Sequence, residues 1–358
     1  MTYVLAIGTR KGLWLAQSGD RRRWTLDGPH LAGSEVAAVA LDDRNGRQAR
    51  PRVIVGVRSE FWGPALTWSD DLGGSWHEPE QGAISFPADT EAALARVWQL
   101  RPDPAREGVV WAGCEPTSLW RSDDFGESFS LVRGLWDHPH RPDWAPGAGG
   151  AAVHTVIPDP ASARVLIAMS TGGVYASEDG ASGWTPFNHG ITVPFLPDEL
   201  PEYGQCVHKV DVDAEGTLFA QNHGGVFRST DRGTSWQSIA AGLPSDFGFP
   251  VLASPRVPGT AWVVPLDPAA RVPPEGQLRV HRTTDAGATW TALGAGLPDS
   301  CWTCVLRDAA CVDAGAPTGI YLGTRTGSVF ASPDEGDSFV TVAEQLPDVL
   351  VVRAATLS

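Results

Sequence analysis

The sequence is poor in the residues that stabilise small secreted domains and membrane proteins. Five cysteines occur in 358 residues, an odd number that argues against a disulfide framework and favours free thiols in a reducing cytoplasm. No apolar run approaches the length that crosses a bilayer. The first apolar segment, Tyr3–Ile7, begins too early to follow a leader peptide, and we interpret it as a strand. We therefore expect a cytoplasmic protein.

Basic residues are also scarce. Lys and Arg number 27 against 42 Asp and Glu, which gives a formal net charge of −15. Such a balance argues against nucleic acids and anionic membrane surfaces as partners, and it suits cations or polar neutral ligands better. No segment has the periodicity of a long amphipathic helix.

One short motif, S-x-D-x-G-x-S-W, recurs along the whole chain. Its aspartates are separated by 49 to 55 residues, a spacing that indicates seven structural repeats. The copies occupy residues 69–76, 122–129, 229–236, 283–290 and 332–339, with a weaker copy at 177–184 and a shortened one at 18–24. The Asp accepts hydrogen bonds from the turn that follows it, and the Gly permits a positive φ. The motif therefore predicts a tight hairpin, and we assign its aspartates to folding and not to catalysis.

Each repeat predicts four short strands separated by Gly, Pro, Asn and Asp turns. Four-stranded units with a period near 50 residues are typical of a β-propeller. We therefore predict an all-β, seven-bladed propeller of four-stranded antiparallel blades in one domain, residues 1–358. The C-terminal strand Leu350–Leu357 should pair with Tyr3–Ile7 and close the ring, which removes exposed sheet edges.

The motif resembles the Asp-box, or bacterial neuraminidase repeat, and the chain resembles sialidase-like propellers that are often labelled glycosyl hydrolases. True sialidases have six blades, an arginine triad, a Tyr–Glu pair and an Arg-Ile-Pro segment. This chain has seven repeats and no Arg-Ile-Pro, and Glu202-Tyr203 would point two side chains apart. Its resemblance therefore implies the fold and not sialidase catalysis. Seven-bladed relatives include xyloglucan-degrading enzymes and photosystem assembly factors, so the class of function stays open.

Three long connections interrupt the otherwise short loops between blades. They are residues 81–96, 134–152 and 190–206. Loops of this length in a compact repeat fold are usually functional, and they enter neighbouring blades, so we expect them to crowd one sector of the binding face. A protein partner could dock on them.

Aligned repeats place several chemically active side chains near the mouth of the central channel. His154 and His208 occupy equivalent positions at the start of adjacent inner strands, where Trp98 and Trp302 stand in other blades. The turns after the second strands add further polar residues to the same face: Arg10, Arg58, Glu60, Glu115, Asn222, His223 and Arg325.

These residues suggest an enzyme that acts on a small polar or anionic substrate. His154, His208 and His223 could hold one divalent metal, Zn, Fe, Mn or Mg, with chemistry of a lyase, hydrolase or oxygenase type. Without a metal, His208 or His154 could act as general base, with Glu115 as the carboxylate.

The remaining mouth residues would bind substrate: Arg10, Arg58, Arg325, Trp98, Trp302, Glu60 and Asn222. Two alternatives stay open. One is a glycoside hydrolase of the Asp-box propeller type, and the other is a binding or assembly scaffold without chemistry.

Overall fold

The repeats form seven antiparallel sheets arranged in sequence order in the computed structural model. The structure describes residues 1–44, 50–79, 82–147, 150–194 and 197–357. Within these residues, helix is confined to one four-residue turn, α1 (Arg133–Trp136), and short 3-10 segments at Ala88–Thr90, Arg141–Asp143 and Pro274–Gly276. None of the helices in these ranges is long enough to span a membrane. The predicted all-β, seven-bladed propeller is confirmed.

The first three blades contain strands β1 to β10. Blade 1 has β1 (Thr2–Thr9), β2 (Gly12–Ser18) and β3 (Thr25–His30); blade 2 has β4 (Glu35–Asp42), β5 (Arg52–Ser59) and β6 (Gly63–Ser69); blade 3 has β7 (Arg96–Pro102), β8 (Val110–Glu115), β9 (Ser118–Ser122) and β10 (Ser130–Leu131). In blade 2 an isolated bridge between Trp68 and His77 takes the place of the fourth strand.

The remaining blades contain strands β11 to β26. Blade 4 has β11 (Val153–Pro158), β12 (Val165–Met169), β13 (Gly173–Ser177) and β14 (Thr185–Pro186); blade 5 has β15 (Val207–Val212), β16 (Leu218–Asn222), β17 (Gly225–Ser229) and β18 (Gln237–Ser238). Blade 6 has β19 (Gly248–Ala253), β20 (Ala261–Pro265), β21 (Val280–Thr283) and β22 (Thr291–Leu293); blade 7 has β23 (Val305–Val312), β24 (Ile320–Thr324), β25 (Val329–Ser332) and β26 (Val340–Ala343).

The innermost strand of blade 7 departs from the sequence prediction. The apolar run at residues 302–306 predicts this strand there, whereas β23 begins at Val305. Upstream, the backbone N–H of Cys301 donates to the carbonyl of Gly276 in blade 6 and not to a strand neighbour. Trp302 consequently lies in a loop with 66% of its surface exposed.

Ring closure depends on the last strand, β27 (Val349–Leu357), which pairs antiparallel with β1 over its full length. Leu5 and Ile7 of β1 pack into the apolar cluster toward blade 7, whereas Val4 and Ala6 pack into the cluster toward blade 2. Both faces of this blade are therefore covered by its neighbours, and its inner edge is covered by β27.

Deletion of residues 349–358 should unfold or aggregate the protein. The truncation would expose the edge of β1 and remove Val349, Val351 and Val352, which are fully buried. Thermal melting and size-exclusion chromatography report the outcome. An unchanged melting transition in a monomeric truncated chain would contradict this account of closure.

The repeated motif forms the predicted hairpin, and its aromatic residue joins adjacent blades. In blade 5, Ser235 N–H donates to Asp231 Oδ1 at 2.9 Å, and Gly233 N–H donates to the hydroxyl of Ser229 at 2.7 Å. Gly233 has a φ of 90°, which explains the glycine at this position. The indole of Trp236 donates to the carbonyl of Phe187 in blade 4 at 2.8 Å. The hairpin therefore fixes both a turn and a contact between blades.

Asp231→Ala should lower the free energy of unfolding by about 1 kcal/mol, because it removes turn hydrogen bonds that water can partly replace. Urea titration measures this loss. Ligand binding at the mouth of the channel should be unchanged. A variant of full stability that has lost binding would show that the hairpin belongs to the functional site.

The hairpin carboxylates also contribute a pH dependence. Hydrogen bonds from the Ser75 backbone and from nearby hydroxyls lower the pKa of Asp71 from 3.8 to about 2. Since the folded pKa lies below the unfolded one, the stabilisation is complete above the unfolded value and is lost as pH falls through the folded value.

Candidate functional site

The inner strands bulge close to their starts, and the bulges define the channel mouth. The register of the innermost pair shifts between Val153 and Thr155 in blade 4, and between Val207 and Lys209 in blade 5. The same shift occurs around Ala37 and Trp98 in blades 2 and 3. His154 and His208 are thus the extra residues of equivalent bulges. A bulge re-aims a side chain and is common beside functional sites.

His154 has a structural role. It is fully buried, its Nε2–H donates to the carbonyl of Val207 at 2.9 Å, and its Nδ1 accepts from the hydroxyl of Thr155 at 3.2 Å. Burial first, and then the nearby cations Arg307 and Lys209, hold its pKa well below the ordinary value. Both ring nitrogens are occupied, so the structure does not bring His154 into a ligand set with the other two histidines.

His208 and His223 do come together, and Cys206 joins them. One donor atom from each lies within 4.8 Å of the other two. The group forms because Cys206 and His223 flank the first residue pair of β15 and β16, and the His223 N–H donates to the Cys206 carbonyl at 2.9 Å. Cys206 was not predicted as a site residue. Its position directly before an inner strand, opposite His223, was the available signal.

His208 is a neutral, oriented imidazole. Its Nδ1–H donates to the carbonyl of Gly248 at 2.6 Å, which leaves the lone pair on Nε2. Burial, followed by the charge of Arg307, lowers its pKa to about 3. A base works best with a pKa near the operating pH, so this environment is a poor one for general-base catalysis by His208.

A cavity of about 730 Å³ opens at the channel mouth; we call it the mouth cavity. Its size is within the range of small-molecule sites. The predicted residues Arg10, Arg325, Trp98 and Trp302 line it. Arg96, Arg271 and Arg307 also line it, so the described residues place five guanidinium groups around the space, against one lining carboxylate, Asp308.

Three of these arginines form ion pairs and share two neighbouring carboxylates. Arg10 pairs with Glu35 at 2.9 Å and with Asp348 at 3.0 Å, Arg325 pairs with Asp348 at 3.0 Å, and Arg96 pairs with Glu35. These contacts join blades 7, 1, 2 and 3 around the rim. Arg10 and Arg325 therefore have a structural role at the closure seam in addition to lining the cavity.

Arg271 and Arg307 differ from the other three because neither forms an ion pair among the described residues. One terminal nitrogen of Arg307 is buried without a hydrogen-bond partner, and its guanidinium lies 5.3 Å from the ring centre of Trp98. Trp98 has Arg96 over it as well, at 4.9 Å, and donates to Glu115 at 2.9 Å. Arg271 is exposed, so the cost of burying an unpaired cation applies to Arg307 alone. Arg307 therefore indicates a site for an anion.

A second cavity, the side cavity, adjoins the first. It measures about 310 Å³ and is lined by Cys206, His208 and His223. Arg271, Arg307 and Phe249 line both cavities. An anionic group held by these two arginines would therefore lie beside the Cys–His cluster.

Four other predicted residues line neither cavity. Glu115 accepts the indole hydrogen of Trp98, and Asn222 is buried and donates to the carbonyl of Thr192 at 3.2 Å. Arg58 is exposed. Glu60 is 81% exposed and lies 3.7 Å from Lys11.

The three long connections contact one another. Arg133, directly before the middle connection, donates to Asp89 at 2.7 Å. Asp143 accepts from the Tyr203 hydroxyl at 2.9 Å, and His140 stacks on Tyr203 with ring centres 4.1 Å apart. They form one packed sector beside blades 3 to 5. Residues 81, 148–149 and 195–196 of these connections lie outside the described part of the chain.

Arg271 and Arg307 were not anticipated from the sequence. Arg271 belongs to the connection between β20 (Ala261–Pro265) and β21 (Val280–Thr283), which is longer than the corresponding turns of the other blades. Arg307 lies in an enlarged bulge, because the register of β23 jumps from Val305 to Ala310. The longer connection was visible in the sequence, whereas the bulge had no local signal.

Below the mouth cavity an ionic network fills the channel. Asp308 is 3% exposed and pairs with Lys209 at 2.9 Å and with Arg353. Burial opposes ionisation of Asp308, but the two cations outweigh it and hold its pKa well below the usual range. Gln99 accepts a further hydrogen bond from Lys209 at 3.3 Å. Three blades and the closing strand are thereby joined at the axis.

Asp308→Asn should cost about 3–5 kcal/mol of unfolding free energy, because it leaves two cations without their partner. Lys209→Met should cost less, since Arg353 still neutralises Asp308. Urea denaturation of both variants measures the order. Equal losses, or a larger loss for Lys209→Met, would contradict the central place of Asp308.

Comparisons with known proteins agree with the propeller architecture. No family model matches the chain. A xyloglucanase from Hypocrea jecorina (strain QM6a) is 25% identical over 302 residues, which cover 73% of this chain and 33% of that enzyme. The chain therefore spans about a third of the length of this curated relative.

Solved structures show the same fold. The xyloglucanase of family GH74 from Xanthomonas campestris superimposes with a TM-score of 0.64 at 16% identity, over 96% of this chain and 52% of that one. A structural-genomics protein from Lactobacillus plantarum gives 0.64 at 13% identity, over 99% and 100% of the two chains. This chain is a seven-bladed propeller with xyloglucanase-like neighbours.

Proposed function

We propose that the chain is an enzyme that binds a small acidic carbohydrate in the mouth cavity. The observation that carries the proposal is the guanidinium group of Arg307, which lines the cavity with one terminal nitrogen buried and without a hydrogen-bond partner in the described residues, beside the exposed Arg271. Guanidinium groups bind carboxylate and phosphate through charge-assisted, often bidentate hydrogen bonds. A ligand carboxylate would supply the negative charge that these two arginines lack from protein carboxylates.

The carbohydrate part of the proposal rests on two supports. Trp302 lies on the cavity wall and is largely exposed, and an aromatic ring offers an apolar surface to the C–H face of a sugar while polar groups bind its hydroxyls. The sequence similarity to a xyloglucanase is the second support.

Chemistry would occur where the two cavities meet. Arg307 and Arg271 would hold the acidic group, and the Cys206–His208–His223 cluster would face the adjoining part of the ligand. Glycosidases of the usual kind need two carboxylates across the scissile bond. Asp308 is the one carboxylate lining the mouth cavity in the described residues, and it is held in ion pairs. This arrangement favours chemistry at the acidic end of the ligand over displacement at a glycosidic carbon.

Arg307→Met should weaken binding of glucuronate or galacturonate by about 10- to 100-fold, the loss expected for one charge-assisted contact. Stability should be retained or increased, because the variant removes a buried unpaired charge. Isothermal titration calorimetry in the presence of EDTA measures affinity, and thermal melting measures stability. Arg121→Met is the matched control, because Arg121 lies on β9, lines neither cavity and pairs with Asp123.

The outcomes separate the alternatives. Equal affinity for acidic and neutral sugars, or no effect of Arg307→Met, would contradict the proposal. Absence of binding to any saccharide would favour the alternative function, a binding or assembly scaffold without chemistry.

A neutral-glucan glycoside hydrolase is the second candidate, favoured by the similarity to a xyloglucanase. Release of reducing ends from xyloglucan by the wild-type chain, undiminished by Arg307→Met, would support it and exclude the acidic ligand as the substrate.

A further inference from the structure

We propose that Cys206, His208 and His223 bind one Zn²⁺ ion whose fourth ligand position faces the ligand cavities. One thiolate and two imidazoles suit Zn²⁺, and three protein ligands with an open position are the arrangement of catalytic zinc. The site replaces the three-histidine set expected from the sequence, because His154 uses both ring nitrogens in hydrogen bonds.

The distances require little movement. The three donor atoms lie within 4.8 Å of one another, whereas tetrahedral zinc with bonds of 2.0–2.3 Å holds its ligands roughly 3.3–3.8 Å apart. His208 is buried and fixed, while Cys206 and His223 are half-buried. Rotation of these two side chains toward His208 would close the set.

The surroundings of His208 match those of a metal ligand. Metal-bound histidines usually donate their second ring N–H to a carbonyl or carboxylate, which fixes the tautomer. The bond from Nδ1 to the carbonyl of Gly248, 2.6 Å long, does this and leaves the Nε2 lone pair available as a ligand. Phe247 and Phe249 pack on the imidazole with ring centres 5.4 and 5.1 Å away. An apolar shell of this kind limits the access of water to the ion.

The adjacent cations couple the metal to an anionic ligand. Arg271 and Arg307 line the same cavity and oppose a divalent ion, and the thiolate of Cys206 offsets part of this repulsion. An anion bound to the two arginines would offset the rest. The two binding events should strengthen each other by the same factor. This coupling rests on the proposed function, whereas metal binding alone does not.

Titration of the metal-stripped protein with Co²⁺, a spectroscopic substitute for Zn²⁺, tests the site. One equivalent should bind and produce visible bands of tetrahedral cobalt with a near-ultraviolet thiolate band. Cys206→Ser should abolish the thiolate band, and both Cys206→Ser and His223→Ala should lower Zn²⁺ affinity at least tenfold. Thermal melting without metal establishes that each variant is folded.

Two matched controls identify the ligands. Cys301→Ser tests the other half-buried thiol on this face, which belongs to a Cys-x-x-Cys pair with Cys304, and His189→Ala removes an exposed histidine. Both variants should bind like the wild type. Loss of metal with Cys301→Ser and retention with Cys206→Ser would overturn the assignment, as would a folded wild-type chain that binds no Zn²⁺ or Co²⁺.

The acidic-sugar proposal fails separately from the metal proposal. Wild-type protein that binds one Zn²⁺ but no acidic sugar, with or without metal, would leave the metal site standing and contradict the proposed function. Sugar binding in EDTA without any metal binding would do the reverse.

Discussion

Closure of the ring by β1 and β27 is the constraint on which the remaining architecture depends. Each blade is covered on both faces by its neighbours, so the cores between blades exist only if the first and last repeats meet. The closure seam also builds part of the mouth. Asp348, directly before β27, accepts hydrogen bonds from Arg10 and Arg325. The same pairing thus buries the apolar strand edges and positions cationic groups around the cavity.

The cations around the channel fall into two groups, those with an acidic partner and those without one. The protein carries a net charge of −15, yet its mouth cavity is surrounded by arginines. Arg10, Arg96 and Arg325 have acidic partners, and the channel cations Lys209 and Arg353 share Asp308. Arg271 and Arg307 alone among the arginines lining the mouth cavity lack such a partner in the described residues. Because burial of an unpaired charge opposes folding, the buried terminal nitrogen of Arg307 favours binding of an anion over a purely structural role.

The fold does not decide the chemistry. The solved xyloglucanase from Xanthomonas campestris shares the propeller at 16% identity, and likeness at that level transfers architecture and not side chains. In this chain, the repeated hairpins and the bulged inner strands form the scaffold of the binding face. Individual residues on the binding face decide what the scaffold binds. Here they combine two uncompensated arginines with a thiol and two imidazoles.

The amino-acid sequence by itself determined the propeller. The repeated S-x-D-x-G-x-S-W hairpin is local turn chemistry, and its constant spacing counts the blades without knowledge of any long-range contact. It also placed His208 and His223 on one face, since both positions follow from strand alignment. Only the tertiary structure separated His154 from them, because its hydrogen bonds to Val207 and Thr155 depend on the neighbouring strand and the bulge. The partners of each arginine were likewise decided by folding: ion pairs such as Arg10 with Asp348 join residues far apart in the sequence, and no local pattern distinguishes a paired guanidinium from an unpaired one.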